Sequence, residues 1–298
     1  LNAFNRVRRL TAKELNTFNP GGWGPVSVLV NLIVALGMLC VVPAGLRLIE
    51  PAPGAAIRRA WPLFAVAGSF CLWLPRGTAA VALAGVYAAG TVLLACEAPR
   101  RLLRRGARPG PAEAAVLTAL VAPSVAAVAL VAERSGTELL GFDLEILALT
   151  VPHFHYAGFA AALVAGLVCR ASGGRLARFG ALSVPAGTLL VLVGYFVDDW
   201  AELAGAVVLT AGMWAVALVT WRDVRGGGRD RLTRRLLGVS AAVLVATMLL
   251  ALSWAAGQAT GLPHPNLAWM AATHGLGNAL GFALCSVLAW RRLKESPA

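Results

Sequence analysis

The sequence predicts an all-α polytopic transmembrane helix bundle, and three observations predict it. Of 298 residues, 58% are hydrophobic and only 13% charged, and the mean hydropathy of +0.73 is far above that of a soluble domain. Apolar runs near the roughly 20 residues that cross a bilayer recur along the chain. The 26 Lys and Arg fall in short clusters between those runs, the pattern of the positive-inside rule. A net charge of +12 would point a soluble protein toward nucleic acid; here it reads as a topology signal. Nucleic acid is therefore not an expected partner, and the lipid bilayer is.

Taken in order, residues 1–25, with Arg6, Arg8, Arg9 and Lys13, are expected to form an amphipathic or extension segment rather than a cleaved signal. A single transmembrane domain is expected over 26–290 and a cytoplasmic tail over 291–298. Nine runs supply helices: 26–48, 60–75, 78–96, 113–132, 143–168, 181–197, 201–221, 236–256 and 266–290. The second is the weakest, and without it the count is eight. Pro51-Ala52-Pro53-Gly54, Pro109-Gly110-Pro111, Gly173-Gly174 and Gly226-Gly227-Gly228 separate runs as breaker signals. Cys40, Cys71, Cys96, Cys169 and Cys285 are scattered without CxxC spacing and read as packing residues. Trp61, Trp73, Trp200, Trp221, Trp269 and Trp290 lie near run ends, where an interfacial belt is expected.

Arg58-Arg59 and the basic clusters around 100–108, 170–178, 222–235 and 291–294 occupy alternate connections, so the C-terminus is expected in the cytoplasm of a bacterial multi-pass membrane protein. The acids then gather outside: Asp143 and Glu145 open the fifth run, and Asp198, Asp199 and Glu202 form the turn between the sixth and seventh. His153 falls roughly 15 Å below Asp143, near mid-membrane, at about 1.5 Å per residue. His274 enters from the same side, and Asn31 lies in the same leaflet.

Ionisable groups at such depth are costly and mark candidate sites. His153 and His155 lie about 200° apart on a helix, which opposes joint chelation of one metal, and no further ligand completes a site; no metal or other cofactor is expected. His153 and Tyr156, His274 and Asn278, and Asp198 and Glu202 each share a helix face, and three such faces could line one cavity. Glu202, one turn into its helix, is the stronger acid candidate and Asp198 the stronger loop residue. Trp214 and Trp254 lie deeper and face either cavity or lipid.

The run from Glu145 through Thr150-Val151-Pro152-His153-Phe154-His155-Tyr156-Ala157-Gly158-Phe159, the Glu202-Leu203-Ala204-Gly205-Ala206 stretch, and Thr273-His274-Gly275 with Asn278-Ala279-Leu280-Gly281-Phe282 resemble motifs of the YndJ-like family of bacterial membrane proteins. That family is similar to the membrane-bound terpene cyclases of indole-sesquiterpenoid pathways of the drimentine and xiamycin type. The resemblance implies protonation-initiated cyclisation of a farnesyl chain on an indole-type acceptor, without diphosphate ionisation. Pro152 stands where an apolar residue such as Val is expected.

For that reaction Glu202, with Asp199 as partner, is the expected acid, and His153 or His274 the base. Substrate contacts are expected from Tyr156, Asn278, Phe154, Phe159, Tyr195, Trp214, Trp254, Glu145 and Asn31, the aromatic faces steadying a migrating cation. The competing class is a non-enzyme: a proton-coupled transporter or lipid-binding protein in which His153, His274 and Glu202 form a relay. A third reading is a membrane-bound oxidoreductase using quinone or haem, with His153 and His274 as axial ligands in the haem case.

Overall fold

The computed structural model describes residues 24–105, 109–226 and 228–295. The expected segment 1–25 thus lies outside the described residues as far as Trp23, as do the last three residues of the tail. Among the described residues nine helices follow one another: α1 (Pro25–Leu46), α2 (Ala55–Cys71), α3 (Thr78–Arg104), α4 (Pro111–Ser135), α5 (Leu144–Ser172), α6 (Arg175–Val197), α7 (Asp199–Val224), α8 (Arg231–Thr260) and α9 (Leu267–Glu295). Eight are long and apolar enough to cross a membrane; α2, with 17 residues, is about 26 Å long.

Even so, α2 covers the same layer as α1. Asn31 Nδ2 donates to the Leu72 carbonyl at 3.0 Å, and Trp61 Nε1 donates to Met38 O at 3.0 Å, so the two helices run antiparallel over matching depth. Trp61 is fully buried, which corrects its expected place in the interfacial belt. The indole N–H is held by a helix carbonyl, leaving no polar edge to seek the headgroups. Trp290 is likewise mostly packed, with its Nε1 buried, whereas Trp200, Trp221 and Trp269 are exposed.

Helices overrun their apolar runs at several ends. Side-chain caps extend the starts: Asp143 Oδ1 accepts from the backbone N–H of Glu145 and Ile146, Asp198 from Ala201, and Asn266 from Trp269. Long Arg side chains tolerate the basic ends.

The two faces of the bundle are held differently. On the face of the arginine clusters, Arg101 grips Glu113 at 2.8 Å and donates to the Glu50 carbonyl at 3.0 Å. Arg170 meets Glu113 at 3.1 Å. Lys294, near the end of α9, pairs with Glu50 at 2.7 Å and pulls that carboxyl below its ordinary range. On the opposite face Glu133 holds both Arg76, at 2.9 Å, and Arg134. Glu113 and Glu133 are buried, each between two arginines, so removing either carboxylate would strand buried cations.

At the centre lies α5, 78% of whose most apolar stretch is buried, more than in any other spanning helix. This is why its histidines are enclosed. Helices α6 and α7 touch backbone to backbone: a Cβ at Gly194 would stand 2.5 Å from Glu202 Cα, and one at Gly187 would stand 2.4 Å from Leu209 N. Small residues allow that approach, and it fixes where α7 begins.

Candidate functional site

A cavity of about 450 Å³ opens between α5, α6, α7, α8 and α9, with Val30 and Ile33 of α1 completing its wall. Its lining is mostly apolar. Glu145, His153, Phe154, Tyr156, Tyr195, Asp199, Glu202, Trp254, His274 and Asn278 all line it.

The sequence Pro152-His153-Phe154 ends a regular α-helical stretch and begins a π turn, Phe154–Ala161. Such i→i+5 segments widen a helix and re-aim its side chains. His155 is fully buried, with Nδ1 at 2.7 Å from the Val151 carbonyl and Nε2 at 2.5 Å from the Tyr87 hydroxyl. A carbonyl can only accept, so His155 carries its proton on Nδ1, and Nε2 accepts from Tyr87. His153 has no such pairing. It lines the cavity, and its Nε2 is buried without a hydrogen-bond partner among the described residues.

His274 sits in a second π turn, Ala271–Gly275, and is tied at both nitrogens. Its Nδ1 donates to the Thr247 carbonyl at 2.8 Å, which leaves Nε2 to accept from Asn278 Nδ2 at 3.1 Å. Asn278 Oδ1 in turn accepts from the Thr247 hydroxyl at 2.8 Å. The ring of bonds joins α8 to α9 and occupies the lone pair that a base or an axial ligand needs. Of the two expected bases, His153 is therefore the one with an open nitrogen.

The acids divide in the same way. Asp143 and Asp198 each spend one oxygen, Oδ1, on a helix cap, a structural duty. Glu202 is half-buried in the first turn of α7, and Asp199 lies three residues before it. Glu145 also faces the cavity, with Oε2 buried and unpartnered among the described residues. Tyr156 donates its hydroxyl to the Ile33 carbonyl at 2.8 Å, turning the oxygen away and leaving the ring as its contribution. Trp254 packs edge-on against His264, ring centres 4.9 Å apart, and Tyr195 against Phe142 at 6.2 Å.

Three expected contact residues lie elsewhere. Phe159 is fully buried and faces α1, where a Cβ on Gly45 would come within 2.8 Å of its ring; the π turn rotates it off the face that an α-helical period shares with Tyr156. Trp214 packs on the main core while its neighbour Met213 takes the cavity position. Asn31 is spent on the Leu72 carbonyl, beside Glu133 and Arg134. Conversely, sequence reasoning missed Thr247, Tyr87, Glu138, Phe142 and Gln258. Only Tyr87, an aromatic hydroxyl inside an apolar run, carried a signal that called for a buried partner.

With this geometry in place, comparison with known proteins is informative at one level. The family model described as YndJ-like protein matches residues 32–282. The chain belongs to the YndJ-like family. The matched stretch takes in every cavity-lining helix, from Ile33 of α1 to Phe282 of α9. No curated protein and no solved structure matches this YndJ-like chain.

Proposed function

We propose that this YndJ-like protein is an integral-membrane terpene cyclase that closes rings in a farnesyl chain attached to an indole-type acceptor, beginning with protonation and without loss of diphosphate. The observation that carries the reading is the open Nε2 of His153, a buried base, in one large apolar cavity with the carboxyl of Glu202. A volume of about 450 Å³ falls within the roughly 300–1,000 Å³ of small-molecule pockets.

The chemistry follows from the groups present. Glu202, assisted by Asp199, gives its proton to one carbon of an alkene; the alkene's electron pair forms the new C–H bond and leaves a cation on the other carbon. The π electrons of a neighbouring alkene close the ring. Loss of a proton from an adjacent C–H to His153 Nε2 restores a double bond, so the overall change is an isomerisation. Apolar walls keep water from the cation, and the rings of Tyr156, Tyr195 and Trp254 stabilise it. The Tyr156 hydroxyl is fixed by its bond to the Ile33 carbonyl, which holds the ring in place.

In this reading the arginine-bearing face and the C-terminus lie in the cytoplasm of a bacterial cell, and the cavity opens on the other side. A C-terminal reporter should be active inside; activity only outside would invert the assignment.

Glu202→Gln keeps shape and hydrogen bonding but removes the acid, and turnover of a farnesylated indole should fall about 10²–10⁴-fold while binding survives. In deuterated water the product of the intact protein should carry one deuterium at the carbon protonated first. Full turnover by Glu202→Gln would transfer the role to Asp199 or Glu145. If the intact protein turns over no prenylated indole and instead transports or binds lipid, the cyclase reading fails.

A further inference from the structure

Charge is distributed around the cavity with a strong bias. Six acidic residues line it, and none of its lining residues is Lys or Arg, although the chain has 26 of those and only 14 acids. Four of the six, Glu138, Asp143, Asp198 and Asp199, sit at the mouth, on or beside the starts of α5 and α7. Below them come His153 and His274, and deeper still Met213, Met248 and Phe282. Met213 lies some four turns beyond Asp199, roughly 21 Å further down.

The two helix N-termini at the mouth work against this charge. Each is worth about half a positive charge, and Arg76, near enough to act on Glu145, shares Glu133 with Arg134 and so adds about one more; four carboxylates against these still leave an excess of about two negative charges. The N–H groups that would bind an anion are also taken, since Asp143 and Asp198 already accept from Glu145, Ile146 and Ala201. An apolar cavity open at a membrane surface is otherwise attractive to any chain-bearing lipid, most of which carry phosphate or carboxylate heads.

We propose that this ring of carboxylates is a charge filter: the cavity admits a single-chain amphiphile that is uncharged or cationic and rejects one with an anionic head. The carboxylates are not themselves the ligand site. That is the cavity, marked independently by its volume and by the buried, unpartnered nitrogen of His153 facing it. The inference rests on the preceding reading only in taking this cavity as the place where a prenyl chain binds. It adds the ligand's charge, and it holds whether the bound chain is cyclised or carried.

The test holds the chain constant and varies the head. Binding of farnesol, farnesylamine and farnesoic acid to the full-length protein in uncharged detergent is measured at low salt and neutral pH. Farnesol and farnesylamine should bind at least about tenfold more tightly than farnesoic acid, the scale set by a unit charge about 10 Å from its neighbours at a protein surface. High salt should narrow the gap. In the combined variant Glu138→Gln, Asp143→Ser, Asp198→Ser, serine keeps both helix caps while three charges are lost. Farnesoic acid should then gain several-fold while farnesol changes little. An unchanged ratio in that variant, shown to be folded by its melting temperature, overturns the filter, as does equal or tighter binding of farnesoic acid by the native protein, or no binding of any of the three. If farnesol binds and farnesylated indole is not turned over, the cyclase reading falls and the filter stands.

Discussion

Two histidines separated by one residue, His153 and His155, belong to regions that solve opposite problems. His155, Tyr87 and the Val151 carbonyl form a closed knot in which every polar atom is matched. Trp61 stacks edge-on against Tyr87 at 6.0 Å, and Gly37 leaves just enough room for the His155 ring. In the cavity, by contrast, His153 Nε2 and Glu145 Oε2 are buried with no partner among the described residues. A protein can hold unmatched polar atoms at some cost to stability, and it does so most often where they act on something else. Depth in the membrane does not separate these two histidines, and residue type does not either. Saturation of hydrogen bonding does.

The largest effect that sharpens this contrast is at His153. Replacing it with Ala should lower turnover of a farnesylated indole about 10²–10⁴-fold, the scale of a positioned base, and leave the melting temperature in detergent nearly unchanged. His155→Ala should act in the other direction. It opens a void and strands the Tyr87 hydroxyl, while the Val151 carbonyl keeps the Phe154 N–H, so about 3–5 kcal/mol of stability should be lost. Tyr87→Phe, which strands only the ring nitrogen, should cost about 1–3 kcal/mol. If the two alanine variants lose activity and stability in the same proportion, the division into a working and a structural histidine is wrong.

How far this contrast was legible beforehand depends on the kind of signal. The nine helices followed from apolar runs, because a bilayer demands them and composition records the demand. Asp143 and Asp198 stood before helix starts, where a short acidic side chain usually caps. The pairing of His155 with Tyr87 did not follow, since they are far apart in sequence and Tyr87 lies in an otherwise featureless run. Nor did the π turns, whose i→i+5 bonds no residue pattern encodes. One consequence is local: Phe159 left the face of Tyr156. The same limit applies to Asn31 and His274, whose partners are the main-chain carbonyls of Leu72 and Thr247. A sequence displays side chains, and a main-chain carbonyl within reach of a neighbouring helix appears only in three dimensions.

The smallest effect tests whether the open region depends on exact backbone placement. Gly194 on α6 lies against the first turn of α7, and an added methyl would meet Glu202 N and Cα at 2.5 Å and Ala201 C at 2.9 Å. Those atoms are backbone and cannot swing aside, so Gly194→Ala should part the two helices at their ends and cost about 1–3 kcal/mol of stability. The displaced group is the proposed acid, and a shift of about 1 Å in a reacting group lowers rate by up to about 10²-fold. Gly212→Ala is the control. Its methyl would crowd Ser183 Cβ at 2.8 Å and Val184 N at 3.0 Å in the same helix pair, but roughly 15 Å from Glu202 along α7. It should destabilise to a similar extent and keep its kcat. Equal loss of kcat in both variants would mean that the α6–α7 contact serves the bundle as a whole and does not specifically position Glu202.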